Sequence, residues 1–115
     1  MTYQDIDTMV GEIAALDSDN LPYAYYQFPE GTGLQPPFIC WMLDGIHDLY
    51  ADEKNYQTIV RLTIEYYSDE KDFSKEISIE TYLKNHYITY GKQETYIDTE
   101  KMHETIYDME VVING

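Results

Sequence analysis

The chain has one cysteine, Cys40, so an internal disulfide is excluded and the thiol usage is that of an intracellular protein. Cations are scarce. Arg61 and six lysines face 22 acidic residues, for a net charge of −15. No three basic residues cluster. This excludes a surface that neutralises nucleic-acid phosphates or docks on anionic lipid, because both need grouped Lys and Arg. Long apolar runs are missing as well. The longest, Phe38 to Leu43, falls far short of the roughly 20 residues that a membrane span needs. The opening stretch MTYQDIDTMVGEIAAL lacks the basic start and apolar run of a signal peptide. The chain therefore reads as soluble and cytoplasmically made.

What is present argues for a folded protein. Residues 1–115 have the length of a single domain with one modest core. The hydrophobic share of 43% and the aromatic share of 15% are too high for intrinsic disorder. Tyrosine is abundant, at 13 residues. Its apolar ring and polar tip suit half-buried strands and protein interfaces.

Hydrophobic periodicity divides the chain into seven elements. Ile6, Met9, Val10, Ile13 and Leu16 recur at helical spacing and predict a helix over about Tyr3 to Leu16, ended by Asp17-Ser18-Asp19-Asn20 and Pro22. A short strand follows, Tyr23 to Phe28, then a Gly/Pro-rich loop. The almost wholly apolar stretch Phe38 to Asp44 predicts a central strand covered on both faces, with Cys40 as a small core residue. Gly45 to Asn55 reads as a long polar loop. Tyr56 to Tyr67 alternates, with Val60, Leu62, Ile64 and Tyr66 on one face. Ser68 is placed as the cap of a second helix over Asp69 to Asn85, with Phe73, Ile77 and Leu83 along its buried stripe and Ile79 and Tyr82 beside it. Strands over Tyr87 to Ile97 and Lys101 to Ile113 finish the chain; Gly91 suggests a bulge in the first, and Thr105, Tyr107, Met109, Val111 and Ile113 alternate in the second. The order α-β-β-β-α-β-β predicts an α+β fold: an antiparallel or mixed sheet of four to five strands with two helices packed on it.

No motif carries catalysis. Glu30-Gly31-Thr32-Gly33 has the glycines of a phosphate loop without its lysine or its helix. Asp17-Ser18-Asp19-Asn20 lacks the later glycine and glutamate of a calcium loop, since Pro22 and Phe28 occupy those places. Asp44, His47, Asp48, Asp52 and Glu53 form the best metal-ligand set, yet no second histidine lies near and an exposed acidic turn has the same composition. His103-Glu104 falls on a strand pattern. Cys40 sits in an apolar run where a thiol is inert. The chain reads as a non-enzyme with no cofactor, no metal and no catalytic residue.

Three segments carry a family resemblance. They are Tyr23-Ala24-Tyr25-Tyr26-Gln27-Phe28 with the following Glu30-Gly31-Thr32 and Pro36-Pro37; Arg61 to Asp72, a strand running into an acidic helix start; and Glu94 to Met102 before the last strand. Together with the chain's length and spacing they resemble small tail-terminator and head–tail joining proteins of tailed bacteriophages and Gram-positive prophages. The resemblance implies a structural virion protein at the head–tail junction. It implies a ring, of six copies, stacked between tail tube and head connector, with viral DNA passing through the lumen. The implied partners are copies of the chain itself, tail tube protein and connector proteins. A head-completion or stopper protein at the same junction is the nearest alternative. An acidic DNA mimic that inhibits a host nuclease is the alternative from a different class. Rings need two unlike patches that meet head to tail. Ile46, Leu49 and Tyr50, apolar residues in an otherwise polar loop, are the candidate arm to a neighbour, and Leu34 in the preceding loop is a second candidate.

Overall fold

The computed structural model describes residues 1–28, 34–50 and 56–114. Helix α1 (Tyr3–Ala14) opens with a capping box: Asp5 N–H donates to Thr2 Oγ1 at 3.1 Å, and Thr2 N–H donates to Asp5 Oδ2 at 2.8 Å. It stops two residues before Leu16, because the chain tightens into a 3-10 turn over Leu16–Ser18 in which Asp17 and Ser18 take left-handed backbone angles. Strands β1 (Tyr23–Tyr25), β2 (Phe38–Tyr50) and β3 (Tyr56–Ser68) follow, then helix α2 (Phe73–Asn85) and strands β4 (Tyr90–Ile97) and β5 (Met102–Asn114). The α+β order α-β-β-β-α-β-β is as the periodicity indicates. The five strands form one mixed sheet in the order β1-β2-β3-β5-β4, parallel only between β1 and β2.

Both helices lie on one face. From α1, Ile6, Met9, Val10, Ile13 and Ala14 meet Ile39 and Trp41 of β2 and the inward sets of β3 (Val60, Leu62, Ile64, Tyr66) and β5 (Tyr107, Met109, Val111, Ile113). Period-2 alternation puts these inward residues on the helix side. Burying a side chain of this size stabilises by about 1.5–3 kcal/mol, so the cluster is the main source of fold stability.

Four expectations are corrected. The Gly45–Asn55 loop is mostly strand: β2 runs on to Tyr50 and pairs with β3 as far as Tyr50 opposite Tyr56. Its polar residues do not prevent this, since an antiparallel arm needs no second covered face. The bulge is at Gly45, where the register shifts between Asp44 and Ile46, while Gly91 pairs regularly with Asp108. Helix α2 begins at Phe73 with Asp72, not Ser68, as its cap; Asp72 Oδ1 accepts Lys75 N–H at 3.0 Å, and Ser68 is the buried end of β3. Its buried stripe is Lys75, Glu76, Ile79 and Leu83, whereas Phe73 and Ile77 are 67% and 62% exposed.

The reason for the last correction is ionic. Glu76 is held by Lys71 at 2.8 Å and Lys92 at 3.0 Å. Lys75 Nζ donates to the carbonyls of Leu16 at 3.0 Å and Ile13 at 3.4 Å, satisfying the frayed end of α1. A buried charge is tolerated when it is paired and bonded in this way. Helix α2 ends in a Schellman motif: Ile88 N–H reaches Leu83 O at 2.9 Å and Tyr87 N–H reaches Lys84 O at 3.0 Å, with Tyr87 at φ 59°. This turn delays β4 until Tyr90.

Candidate functional site

Among the described residues, the opposite face of the sheet carries no helix. Strand β2 presents Phe38, Cys40 and Met42 there. Strand β3 presents Arg61, Thr63, Glu65 and Tyr67, and β5 presents Met102, Glu104, Ile106 and Asp108, as alternation from the inward sets requires. The chain after β1 folds over one end of this face and brings Phe28 and Leu34 to it. Phe28 meets Phe38 edge-on at 5.4 Å, and Phe38 stacks on Tyr67 at 4.8 Å. The resulting shallow concavity has a volume of about 470 Å³.

A carboxylate pair sits at the centre of this aromatic patch. The Tyr67 hydroxyl bridges Glu65 and Glu104, the latter at 2.8 Å. One hydroxyl owns one proton, so it cannot donate to both carboxylates at once. Burial, together with the bond to Glu104, raises the Glu65 pKa to about 7, against the opposing bond from Tyr67. Thr63 donates to Asp108 at 2.9 Å next in the row. Arg61 stands in register between Asp44 and Glu110. Cys40 is buried under this patch instead of in the main core. Burial, then Glu65 and Glu104, push its thiol up to about 11, which keeps it protonated and unreactive.

The helix side holds a second polar network. Glu80 accepts from Tyr107 at 2.9 Å and Lys92 at 2.9 Å, with Tyr90 at 3.5 Å. Burial opposes ionisation of Glu80, but the bonds from Lys92 and Tyr107 outweigh it and hold the pKa below the usual value. Lys71, Lys75 and Lys92 are thus all engaged in internal ion pairs. These three cations are directed at the protein's own carboxylates, so the outer surface is more uniformly acidic than the sequence order suggests.

Of the residues singled out from sequence, Leu34 joins the aromatic patch. Ile46, Leu49 and Tyr50 lie in β2, in register with Val60, Gln57 and Tyr56, which places them away from Leu34 along the arm; their side chains are outside the described set, as are Asp52 and Glu53 of the metal-ligand set. The Asp17–Asn20 segment is a helix end, with Asp19 3.4 Å from Lys75. The Glu65–Tyr67–Glu104 cluster was not singled out from sequence. Its available signal was Glu65 and Tyr67 at i, i+2 on an alternating strand. Among the described residues no helix is long and apolar enough to cross a membrane.

The whole fold is similar to a known one. It matches a chain in the solved virion of a native gene transfer agent (GTA) particle with a TM-score of 0.62, over 99% of this chain and 96% of that chain, at 11% sequence identity. At that identity the likeness shows a common fold. No protein-family model matches the sequence. No curated protein matches it either.

Proposed function

We propose that this protein is a structural virion component, a tail terminator or tail-completion protein that forms a ring at the junction of head and tail. The observation that carries the proposal is the fold likeness, nearly end to end, to a chain of a gene transfer agent virion. The sequence resemblance to tail-terminator and head–tail joining proteins supports the same reading. Charge fits it too. A ring around moving DNA must not hold it, and −15 per subunit repels phosphate. The patch around Phe38, Tyr67 and Leu34 at one end, and the arm carrying Ile46, Leu49 and Tyr50 at the other, are two unlike surfaces of the kind a closed ring joins head to tail. In this reading the protein works by contact and not by catalysis. Its partners are its own copies, the tube and the connector.

The test is molar mass by light scattering over a wide concentration range, at low and moderate salt. A mass rising to a limit near six subunits supports the ring, and moderate salt promotes it by screening acidic repulsion. The double variant Ile46→Asp, Leu49→Asp is expected to hold the mass at a lower limit. A ring of unchanged size from that variant would remove the arm from the interface. No association at any concentration would count against self-assembly.

A further inference from the structure

Among the described residues the sheet has several free edges, and all but one are guarded. Strand β1 is three residues long. The free reach of β2 is broken by the bulge at Gly45 and carries Asp44 and Asp48. Strand β4 turns Lys92 inward onto Glu76 and Glu80. Short edges, bulges and inward charges are the devices by which proteins keep strand edges from pairing.

The exception is the last stretch of β5. Its direction can be read from the backbone bonds. Ile39 N–H bonds Pro22 O at 2.9 Å and Tyr26 N–H bonds Trp41 O at 2.7 Å, so odd residues of β2 before the bulge face β1 and even ones face β3. In an antiparallel pair the two opposed residues of a hydrogen-bonded site share that direction. Arg61, Thr63 and Glu65 therefore bond to β2, while Val60, Leu62 and Ile64 bond to Val111, Met109 and Tyr107 of β5. Even residues of β5 point the other way. Asp108 meets Gly91 of β4, but β4 begins at Tyr90 opposite Met109. Beyond it, Glu110, Val112 and Asn114 direct their N–H and C=O groups outward with no strand opposite among the described residues. A concavity of about 960 Å³ borders this edge, with a lining that runs from Met1, Tyr87 and Thr89 past Glu110 and Val112 to Arg61 on the open face. Val112 is 38% exposed beside it.

We propose that residues 110–114 form the two-fold contact of a homodimer, in which β5 of one copy pairs antiparallel with β5 of another across Val112. The occupant is a second copy because this edge complements itself. Glu110 falls opposite Asn114 of the partner subunit and Val112 opposite its own twin, so every outward N–H and C=O meets its counterpart. Glu110 is the one charged residue of the five, and the register keeps it away from its like-charged twin. Val112, a β-branched residue on an open edge, gains a cross-strand neighbour. The inference goes beyond the ring reading and does not rest on it; the edge lies apart from the patch at Phe38 and Tyr67.

Cross-linking decides the matter. The two Val112 positions would form a hydrogen-bonded pair with Cα atoms about 5.5 Å apart, inside the roughly 4.4–6.8 Å a disulfide spans. Val112→Cys is expected to convert nearly all of the protein to a disulfide dimer under mild oxidant, while Ile77→Cys on the outer face of α2 does not; Cys40 is buried and stays out of the reaction. Light scattering on the wild-type protein is expected to show association whose limiting mass Val112→Pro halves, whether that limit is a pair of subunits or a pair of rings. That proline removes only an outward N–H, and Val112→Lys provides a second edge-blocking variant if the proline disturbs the strand, each checked by circular dichroism. A wild-type mass of one subunit at all concentrations overturns the dimer. So does association that neither blocking variant weakens and Val112→Cys fails to trap. If that association reaches a ring-sized limit, the ring reading stands while this contact falls.

Discussion

Replacing Glu65 by glutamine makes a sharp test of the open-face cluster. Its folded-state pKa of about 7 lies above the ordinary carboxyl value of 4.5, with burial as the first cause and Glu104 as the second. The folded protein therefore holds a proton on Glu65 that the unfolded chain has released between those two values. Proton linkage then requires stability to fall as pH rises from about 4.5 to 7 and to stay lowered above 7. The shift corresponds to at most about 3.5 kcal/mol at about 1.4 kcal/mol per unit. Glu65 is only half buried, and solvent screening reduces this to about 1–2 kcal/mol. Glutamine keeps the shape, carries no charge, and can donate to Glu104. Glu65→Gln is thus expected to be about 1–2 kcal/mol more stable than wild type at pH 8 and close to it at pH 4.5. Urea denaturation at both pH values measures this as a midpoint displacement that grows with pH. Carboxylates remote from Glu65 titrate in both proteins and cancel in the comparison. A stability difference of the same size at both pH values would refute the shared-proton account of Glu65, Tyr67 and Glu104.

Other substitutions probe the framework. Tyr87 holds a left-handed conformation at 96% exposure, which costs a side-chain-bearing residue about 1–2 kcal/mol, while glycine's greater unfolded freedom returns about 0.5–1 kcal/mol. Tyr87→Gly is expected to raise stability by up to about 1 kcal/mol in thermal or urea melts, and a loss would remove the Schellman reading. Ile79→Ala should cost about 2–5 kcal/mol as a buried truncation, whereas Ile77→Ser should stay within about 0.5 kcal/mol; the reverse ranking in denaturation midpoints would restore the stripe expected from sequence. Lys75→Met keeps the packing but removes the side-chain donor to the Ile13 carbonyl and leaves the Leu16 carbonyl only its bond from Asp19 N–H, for a cost of about 1–3 kcal/mol. Hydrogen exchange at Ala15, Asp19 and Leu21 should rise with it, since their N–H groups are bonded within this helix end.

Much of this protein was legible in its order of residues. Strict alternation over Val60–Tyr66 and Thr105–Ile113 determined which side chains meet the helices, because a strand's two faces are set by a period of two and a slip would expose the whole apolar set. The stripe of α1 was equally plain. The absence of a catalytic motif and the acidic charge were matters of composition. What the order of residues could not decide were effects that depend on neighbours distant in sequence. Phe73 and Ile77 look like a core stripe until Lys71 and Lys92 are seen to converge on Glu76, and Lys75 on the end of α1, which lets charge take the buried face. The polar stretch after Asp44 reads as loop until β3 provides its ladder of partners. Glu65 and Glu104 stand 39 residues apart and meet across one Tyr67 hydroxyl only because β3 and β5 are neighbours in the sheet. The free edge at Glu110–Asn114 exists only because the turn at Tyr87 starts β4 late. Local pattern fixes which face of an element is apolar; pairing between elements decides which charges meet and which backbone groups are left for another chain.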